Sequence, residues 1–341
     1  MKYLKLGSTD LIVSEVGFGC IPIVRLSTDE AVRLLRYAYE RGINFFDTAN
    51  AYQDSEQKIG LAFQGFRDKV ILATKSFRRS ADGLAKHLEN SLRMLKTDYL
   101  DLFQFHMVNK ESELEEITAP GGALEATLKA KNQGKIRYIG ITTHNYDMAL
   151  KLMKTGYFKT IMFPFNFIED KAKGEMLQLS REKEIGFLVM KPFGGGAIDN
   201  AELCFKFLRQ FPDAIPIPGF DSIKYVDEVL AFYEQPNMIT DEDLFKMQEY
   251  RDQLGSQFCR RCGYCQPCPN GVIISSAMSY PLIVKRMSPA ISIKFSQKAM
   301  DSVPNCTKCG ICISRCPYDL PIPDLLQRNY ELYTRNINLY G

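Results

Sequence analysis

The sequence predicts an α/β protein: a (β/α)8 TIM barrel of residues 1–245, followed by a mostly helical, cysteine-rich domain of residues 246–341. Eight short apolar runs alternate with longer amphipathic segments between residue 16 and about residue 220. Eight such units in this length suit a closed barrel better than a doubly wound sheet. The alternation stops near residue 250, and eight of the ten cysteines lie after position 258.

Each predicted barrel strand is a continuous apolar run that ends in a polar or glycine-rich turn. Strands buried on both faces read as continuous apolar runs, which is typical of parallel sheets covered by helices. The runs are VGFGC (16–20), INFFD (43–47), VILATK (70–75), LDLFQFH (100–106), IRYIGIT (136–142), TIMFPFN (160–166), GFLVMKP (186–192) and IPIPG (215–219).

The segments between the runs have helical character, and several begin with Ser, Thr or Asp and end with Gly, as helix caps prefer. The stretch YLKLGSTDLIVS (3–14) predicts a small hairpin ahead of the first barrel strand. After the barrel, SSAMSYPLIVKRMSPAISIKFSQKAM (275–300) predicts helix with a proline break. The predicted barrel helices are STDEAVRLLRYAYERG, LAKHLENSLRMLK, ALEATLKAKNQG, MALKLMKTG, KGEMLQLSREKE and AELCFKFLRQF.

Composition and charge exclude several classes of protein. The net charge of +3 is too close to balance to favour nucleic acid or a membrane surface as a partner. No apolar run reaches the roughly 18 residues that a membrane span needs. The N-terminal segment MKYLKLGSTDLIVSEVG has no continuous apolar core, so we expect no signal peptide and a cytoplasmic location.

Four titratable residues fall at or just after the ends of successive predicted strands. They are Asp47, Tyr52, Lys75 and His106. In a (β/α)8 barrel the active site lies at the carboxyl ends of the strands. A single Lys, Asp or His at such a position is usually structural, but four of them at three consecutive strand ends favour catalysis.

Several stretches resemble signature segments of the aldo-keto reductase family over about residues 1–235. They are GFGC (17–20), GINFFDTANAYQDSE (42–56), VILATKS (70–76), LDLFQFH (100–106) and GKIRYIGIT (134–142). The resemblance implies reduction of a small carbonyl compound, an aldehyde or a ketone. It makes Tyr52 the general acid, although a free phenol has a pKa of about 10. Lys75 would lower that pKa, Asp47 would hold Lys75, and His106 would orient the carbonyl.

The resemblance also implies a nicotinamide cofactor, NADP(H) or NAD(H), across the barrel mouth. Here the sequence departs from the family pattern, because Thr142-Thr143 replace Ser-Asn and Met162 replaces a Gln. The stretch after the eighth strand contains Asp221 and lacks the usual cluster of Lys and Arg for a 2′-phosphate, which leaves NADPH or NADH open. Nothing demands a flavin, and nothing excludes one. The predicted cofactor contacts are Gly19, Thr142, Thr143, Asn145, Lys191, Gly194, Gly195, Pro218, Gly219 and Lys224.

Two cysteine motifs near the C-terminus predict iron–sulfur clusters in a ferredoxin-like domain. The second motif is C-x2-C-x2-C-x3-C-P, the spacing of bacterial ferredoxins for a [4Fe–4S] cluster. In two-cluster ferredoxins the fourth cysteine of each motif binds the other cluster. We therefore expect two clusters with crossed fourth ligands, with a single cluster as the fallback and zinc as the alternative metal. The predicted ligands are Cys259, Cys262, Cys265 and Cys268, then Cys306, Cys309, Cys312 and Cys316.

Three functions are compatible with a reductase-like barrel that is followed by an iron–sulfur domain. A nicotinamide moves two electrons as hydride, whereas a [4Fe–4S] cluster normally moves one. The protein is a carbonyl reductase whose clusters exchange electrons with a ferredoxin-like partner, or a reductase whose clusters are structural or oxygen-sensing. The third function is an electron-transfer adaptor or redox sensor whose barrel binds a nucleotide without carbonyl turnover. The intact set of four residues favours an enzyme.

Overall fold

The computed structural model describes residues 1–255 and 257–340 and divides the chain into two compact units. Two short internal segments group with the C-terminal unit, a feature that nothing in the sequence indicates. The main part of the C-terminal unit begins at Thr240, a few residues before residue 246, where the sequence analysis places the domain boundary. The barrel unit is 1–166, 170–192 and 200–239, and the C-terminal unit is 167–169, 193–199 and 240 onward.

The barrel unit contains an eight-stranded sheet in which every neighbouring pair is parallel and the strands follow chain order. Each of the eight predicted runs contains or overlaps one strand, which confirms the predicted (β/α)8 fold. The antiparallel hairpin of β1 (Tyr3–Lys5) and β2 (Ile12–Ser14) is also confirmed. The barrel strands are β3 (Phe18–Gly19), β4 (Phe45–Asp47), β5 (Ile71–Ser76), β6 (Leu100–Phe105), β7 (Ile136–Thr142), β8 (Thr160–Pro164), β9 (Gly186–Met190) and β10 (Ala214–Pro216).

The sheet closes where β3 meets the segment that follows β10. The backbone N–H of Gly17 donates to Pro216 O at 2.9 Å, and that of Gly19 donates to Pro218 O at 2.7 Å. A Cβ atom at position 19 would lie only 3.0 Å from the carbonyl oxygen of Ile217. The close approach of this backbone favours glycine at position 19.

The hairpin closes one end of the barrel. Its side chains Leu6, Leu11 and Val13 are buried and pack with inward-facing side chains of six barrel strands or the residues just after them. Burial of this cluster removes apolar surface from water, which is the main favourable contribution to folding. The barrel members of the cluster are Phe45, Ala73, Leu102, Met162, Leu188, Ile215 and Ile217.

Nine α-helices of the barrel unit connect its strands or follow the last one. The sequence missed α2, α4 and α9. Much of α2 is buried, including Glu56 and Lys58, so its polar residues give no amphipathic contrast, and α4 buries only Leu114 and Ile117. The helices are α1 (Thr28–Glu40), α2 (Ser55–Ala62), α3 (Ala81–Met94), α4 (Glu111–Thr118), α5 (Ala123–Asn132), α6 (Tyr146–Lys154), α7 (Glu175–Glu182), α8 (Ala201–Leu208) and α9 (Ile223–Glu234).

The C-terminal unit is helical in the part that the structure describes, and it has its own apolar core. Tyr280 is fully buried and accepts a hydrogen bond from Asn336 Nδ2 at 2.9 Å. The predicted helical separator with its proline break is confirmed, because Pro289 opens a new helix. No helix described here is long and apolar enough to cross a membrane. The helices are α10 (Asp241–Gly255), α11 (Ile274–Ala277), α12 (Tyr280–Arg286), α13 (Pro289–Met300), α14 (Ile311–Ser314) and α15 (Ile322–Tyr340).

Candidate active site and candidate cluster sites

The structure brings the four predicted catalytic residues together at the carboxyl ends of three neighbouring strands. Asp47 is the last residue of β4, Lys75 lies at the end of β5, and His106 directly follows β6. All three are buried, with exposed fractions of 5%, 2% and 7%. Tyr52 is half-buried on the turn between β4 and α2. Parallel strands place these residues at one rim although they span sixty positions of the chain.

A buried ion pair forms the base of the site. Lys75 Nζ donates to Asp47 Oδ2 at 2.5 Å and to the carbonyl oxygen of Thr48 at 2.6 Å, and Gln104 Nε2 donates to Asp47 Oδ1 at 2.9 Å. Burial raises the pKa of Asp47, and the attraction of Lys75 offsets this only in part. Burial acts to lower the pKa of Lys75, but the charges of Asp47 and Tyr52 outweigh it and raise that pKa. Lys75 therefore stays protonated beside the phenol.

Two aromatic contacts orient the remaining groups. Lys75 Nζ lies 5.3 Å from the ring centroid of Tyr52. The Tyr52 and His106 rings meet edge to face with their centroids 5.9 Å apart. Phe77 stacks on the other side of His106, with centroids 4.0 Å apart and planes at 16°. A phenol, an imidazole and an ammonium group thus share one corner of the rim, an arrangement suited to proton transfer.

Three predicted cofactor contacts lie at the seam where the barrel closes. Gly19 pairs with Gly219, and Pro218 accepts the hydrogen bond from Gly19 described above. A Cβ atom at position 219 would lie 2.6 Å from the side chain of Pro22. Both glycines therefore have a packing reason that does not depend on a cofactor.

Three more predicted contacts lie at or just after the end of β7 and make local hydrogen bonds. Thr142 Oγ1 accepts from the backbone N–H of Met107 at 2.8 Å and keeps its own proton as a donor. Thr143 Oγ1 donates to Asn109 Oδ1 at 2.9 Å. The side chain of Asn145 caps the N-terminus of α6. Thr142 thus offers a hydroxyl donor at the rim, whereas Thr143 and Asn145 stabilise the loop.

The remaining predicted contacts are dispersed. Lys191 follows β9 in a left-handed conformation with φ of +55°, and its carbonyl oxygen accepts from Asn166 Nδ2 at 3.1 Å. Gly194 and Gly195 are also left-handed, with φ of +56° and +74°, and they belong to the C-terminal unit. Lys224 is exposed in the first turn of α9.

The acidic residue after the eighth strand has a basic neighbour that the sequence did not indicate. The carboxylate of Asp221 would by itself repel a 2′-phosphate, but Arg25 Nη2 lies 3.3 Å from Asp221 Oδ2. Both side chains are partly exposed, at 38% and 28% for Arg25 and Asp221. The pair reduces the net negative charge that an approaching phosphate meets at this position.

The eight predicted metal ligands of the C-terminal unit line two recesses. The first recess is lined by Cys259, Cys262, Cys265 and Cys316 and is partly open to solvent. The second recess is lined by Cys268, Cys306, Cys309 and Cys312, and it also touches Cys265. Each recess thus combines three cysteines of one motif with the last cysteine of the other.

The thiols of the first recess are close enough to affect one another. Burial raises the pKa of Cys265 to about 12, a hydrogen bond with Ser275 opposes this rise, and Cys259, Cys262 and Cys316 add to it. Adjacent thiolates repel, and a metal centre that binds them relieves this repulsion. Within residues 1–255 and 257–340, no three His, Cys, Asp or Glu side chains are arranged to hold a single metal ion. The donor set and the recess suit a group with several iron atoms.

Comparisons with known proteins identify both units. The model of the aldo/keto reductase family matches residues 15–206, more than half of the chain. The chain belongs to the aldo/keto reductase family. A 4Fe-4S dicluster domain matches residues 258–321, so this aldo/keto reductase carries an iron–sulfur domain at its C-terminal end.

Individual relatives agree with this assignment. The uncharacterized oxidoreductase YqkF of Bacillus subtilis is 33% identical over 217 residues, which cover 60% of this chain and 68% of YqkF. L-Galactose dehydrogenase of Arabidopsis thaliana is 32% identical over 212 residues, covering 57% of this chain and 66% of that protein. The holo form of aldo-keto reductase AKR11C1 from Bacillus halodurans superposes with a TM-score of 0.63 at 27% identity, covering 73% of this chain and 96% of AKR11C1. The matched part covers about two thirds of the length of each of these two curated relatives.

Two residues at the site of this aldo/keto reductase escaped the sequence analysis. Gln104 fixes the second oxygen of Asp47, and Phe77 stacks on His106. Gln104 could have been identified from the sequence, because it is a polar residue in an apolar run and lies two positions before His106, on the same face of the strand. Phe77 could not have been identified, since an aromatic residue after a strand usually belongs to the apolar core. Cys20 and Cys204, the two cysteines outside the motifs, are fully buried and pack as small apolar side chains.

Replacing Lys75 with Met tests the buried pair. We expect the free energy of unfolding to fall by about 3–5 kcal/mol, because Asp47 keeps its buried site and loses its counter-ion. Without Lys75, burial holds the pKa of Asp47 still further above its ordinary 3.8. The folded state then binds the proton more tightly, so stability falls as pH rises from about 3.8 through the folded pKa. Urea unfolding between pH 4 and 8 measures this.

The double variant Asp47→Asn/Lys75→Met serves as the comparison, since it removes both charges and should regain most of the loss with a flat pH profile. Lys129→Met, at an exposed site on α5, controls for removal of a lysine. A Lys75→Met variant whose stability rises with pH over this window would contradict the charged state assigned to the pair.

Proposed function

We propose that the barrel reduces a small aldehyde or ketone with a nicotinamide cofactor, NADPH or NADH. The observation that carries the proposal is the contiguous set of Lys75, Tyr52 and His106 over the buried Asp47. Membership of the aldo/keto reductase family supports it. The free hydroxyl proton of Thr142 suits an amide oxygen, so the end of β7 fits the polar edge of a nicotinamide.

The residues of the chain supply the proton and the positioning. When bound, the nicotinamide supplies a hydride. His106, whose ring stacks on Phe77, donates a hydrogen bond to the substrate carbonyl oxygen and places that oxygen beside the phenol of Tyr52. Tyr52 gives its proton to that oxygen, and Lys75 stabilises the phenolate that remains. Asp47 and Gln104 keep the ammonium group in position.

Replacing Tyr52 with Phe removes the proposed acid and little else. We expect kcat for aldehyde reduction to fall by about 100-fold or more, the usual contribution of a positioned general acid, with little change in nucleotide binding. The measurement is anaerobic oxidation of NADPH and of NADH with aromatic and aliphatic aldehydes, beside a fluorescence titration of each nucleotide.

Tyr157→Phe is the matched control, because this phenol is half exposed and lies just before β8, at the opposite end of the strands. Turnover that survives in Tyr52→Phe would remove Tyr52 from the chemistry. A wild-type protein that binds nucleotide without reducing any carbonyl would favour the adaptor or redox sensor. Failure to bind either nucleotide would overturn the nicotinamide proposal.

We also propose that the C-terminal unit holds two [4Fe–4S] clusters with crossed fourth ligands. The composition of the two recesses supports this, since Cys316 lines the first recess and Cys268 lines the second. The match to a 4Fe-4S dicluster domain supports the cluster type. When bound, each cluster carries one electron at a time.

Two double variants distinguish crossed from uncrossed ligation. With crossed ligands, Cys262→Ala/Cys316→Ala damages one cluster and keeps about four iron atoms, whereas Cys309→Ala/Cys316→Ala damages both. Uncrossed ligation predicts the reverse pattern. Iron content and the electron paramagnetic resonance of the anaerobically reduced protein measure the result. Cys204→Ala, a buried cysteine of the barrel unit, is the control and should keep both clusters.

We propose that the electron partner is an acidic ferredoxin that docks over the second recess. Cys309 is exposed there, and Ile311 and Ile313 are 38% and 39% exposed. Lys308 and Arg315 are exposed beside them, and no Asp or Glu occurs between residues 302 and 318. A small apolar centre with a basic rim is complementary to an acidic redox protein.

Reversing the charge of this rim tests the partner. We expect Lys308→Glu/Arg315→Glu to lower the rate constant for cluster reduction by an acidic 2[4Fe–4S] ferredoxin at low salt and to abolish the fall of that rate with rising ionic strength, because the charges steer the encounter. The measurement is cluster reduction by the reduced ferredoxin in stopped flow, from low to high salt. Lys298→Glu, exposed on α13, is the control. Equal rates in wild type and the rim variant would refute the proposed surface.

A further inference from the structure

A buried positive charge lines the first recess. Arg260 is only 6% exposed and shares this recess with Cys259 and Cys262. Its guanidinium lies over the ring of Tyr318, 4.1 Å from the centroid, and 5.8 Å from the centroid of Phe258. An arginine stays protonated under all ordinary conditions, so this position holds a permanent cation in a site of low polarity.

The hydrogen bonds of this guanidinium are incomplete. Nη1 of Arg260 donates to the carbonyl oxygens of Gly255 and Phe258, at 3.0 and 3.1 Å. Nε is buried and finds no acceptor among residues 1–255 and 257–340. A buried cation with an unsatisfied donor is costly unless a negative group compensates it. The four cysteines of the same recess are the candidates for that group, because they bind iron as thiolates.

We propose that Arg260 is the counter-ion of the cluster in the first recess and raises the reduction potential of that cluster. This inference rests on the proposed function, which assigns a cluster to the recess. Reduction adds one negative charge, and a fixed cation beside the recess stabilises the more negative form. Net charge and hydrogen bonds to the sulfur atoms are among the factors that set cluster potentials. The low polarity of the site strengthens the effect.

A nearby carboxylate opposes Arg260. Glu169 acts on the ring of Tyr318 as Arg260 does, with the opposite sign. Glu169 is half-buried and does not line the recess, whereas Arg260 is buried and does. Solvent therefore screens the charge of Glu169 more strongly than that of Arg260.

The second recess has no buried cation among the described residues of its lining. None of the described residues that line it carries a charged side chain, and Cys309 on its wall is exposed. The effect of Arg260 should therefore fall mainly on one of the two clusters. This selectivity separates a specific counter-ion from a general change in the charge of the domain.

An anaerobic redox titration of the full-length holoprotein, followed by electron paramagnetic resonance, tests the inference. In Arg260→Gln, we expect the reduction equilibrium of one cluster to shift tenfold or more toward the oxidised form, about 59 mV for one electron. The second cluster should shift less. Arg260→Lys keeps the charge and should remain within about threefold of wild type, and Glu169→Gln should shift the same cluster toward the reduced form. Lys298→Gln, an exposed cation on α13, should change neither.

Unchanged potentials in an Arg260→Gln protein that keeps its iron would overturn the inference, as would equal shifts of both clusters. If Arg260→Gln loses iron, Arg260→Lys decides, because a tenfold shift despite the retained charge would assign Arg260 a packing role only. Failure of the proposed cluster assignment gives a different result. In that case the wild-type protein would lack the iron and the electron paramagnetic resonance signal of a cluster in the first recess, whatever residue occupies position 260.

Discussion

The closure of the barrel is the constraint on which the active site depends. Eight parallel strands form a closed rim of carboxyl ends only if the first strand pairs with the last, and here that pairing runs through Gly19 and the backbone of residues 217–219. A Cβ atom at position 19 would press on the carbonyl oxygen of Ile217. Once the seam is closed, the register of β4, β5 and β6 fixes where Asp47, Lys75 and His106 end.

Within that frame, one ion pair sets the electrostatics of the rim. Two charges have left water almost completely, and such a pair is tolerated only when further hydrogen bonds satisfy both partners. Thr48 supplies one through its backbone and Gln104 the other through its amide. Both come from the strands or their immediate ends, so the ammonium group is held by rigid elements. A charge held in this way needs no reorganisation when a phenolate forms beside it.

The sequence was informative wherever the chemistry depends on backbone periodicity. Continuous apolar runs located all eight strands, and the residues at their ends located Asp47, Lys75 and His106. The cysteine spacing indicated both recesses, because thiolates at intervals of two or three residues can face a common centre. In each case a local sequence pattern determines a local geometry. In the barrel, the parallel arrangement of the strands then places the strand ends side by side.

Contacts between residues far apart in sequence could not be predicted in this way. Arg25 neutralises Asp221 across nearly two hundred positions, and no pattern in either stretch indicates the other. The glycines at positions 19 and 219 were predicted as cofactor contacts, and close packing at the seam gives each of them an independent reason that no local pattern indicates. Arg260 lies beside a cysteine motif and would usually be a solvated surface charge. Only its burial against Tyr318 separates it from the neighbouring basic residues.

The electron count constrains how the two proposed chemistries of this chain could be coupled. A carbonyl reduction consumes two electrons, which the proposed nicotinamide supplies together as a hydride, whereas a [4Fe–4S] cluster normally moves one. The proposed clusters are therefore not needed as a source of electrons for the reduction itself. Arg260 belongs to the lining of the first recess, and none of the described residues that line the second recess carries a charge. A cluster held in the first recess would therefore have the higher potential of the two, and a single electron that enters through the exposed recess would come to rest beside Arg260.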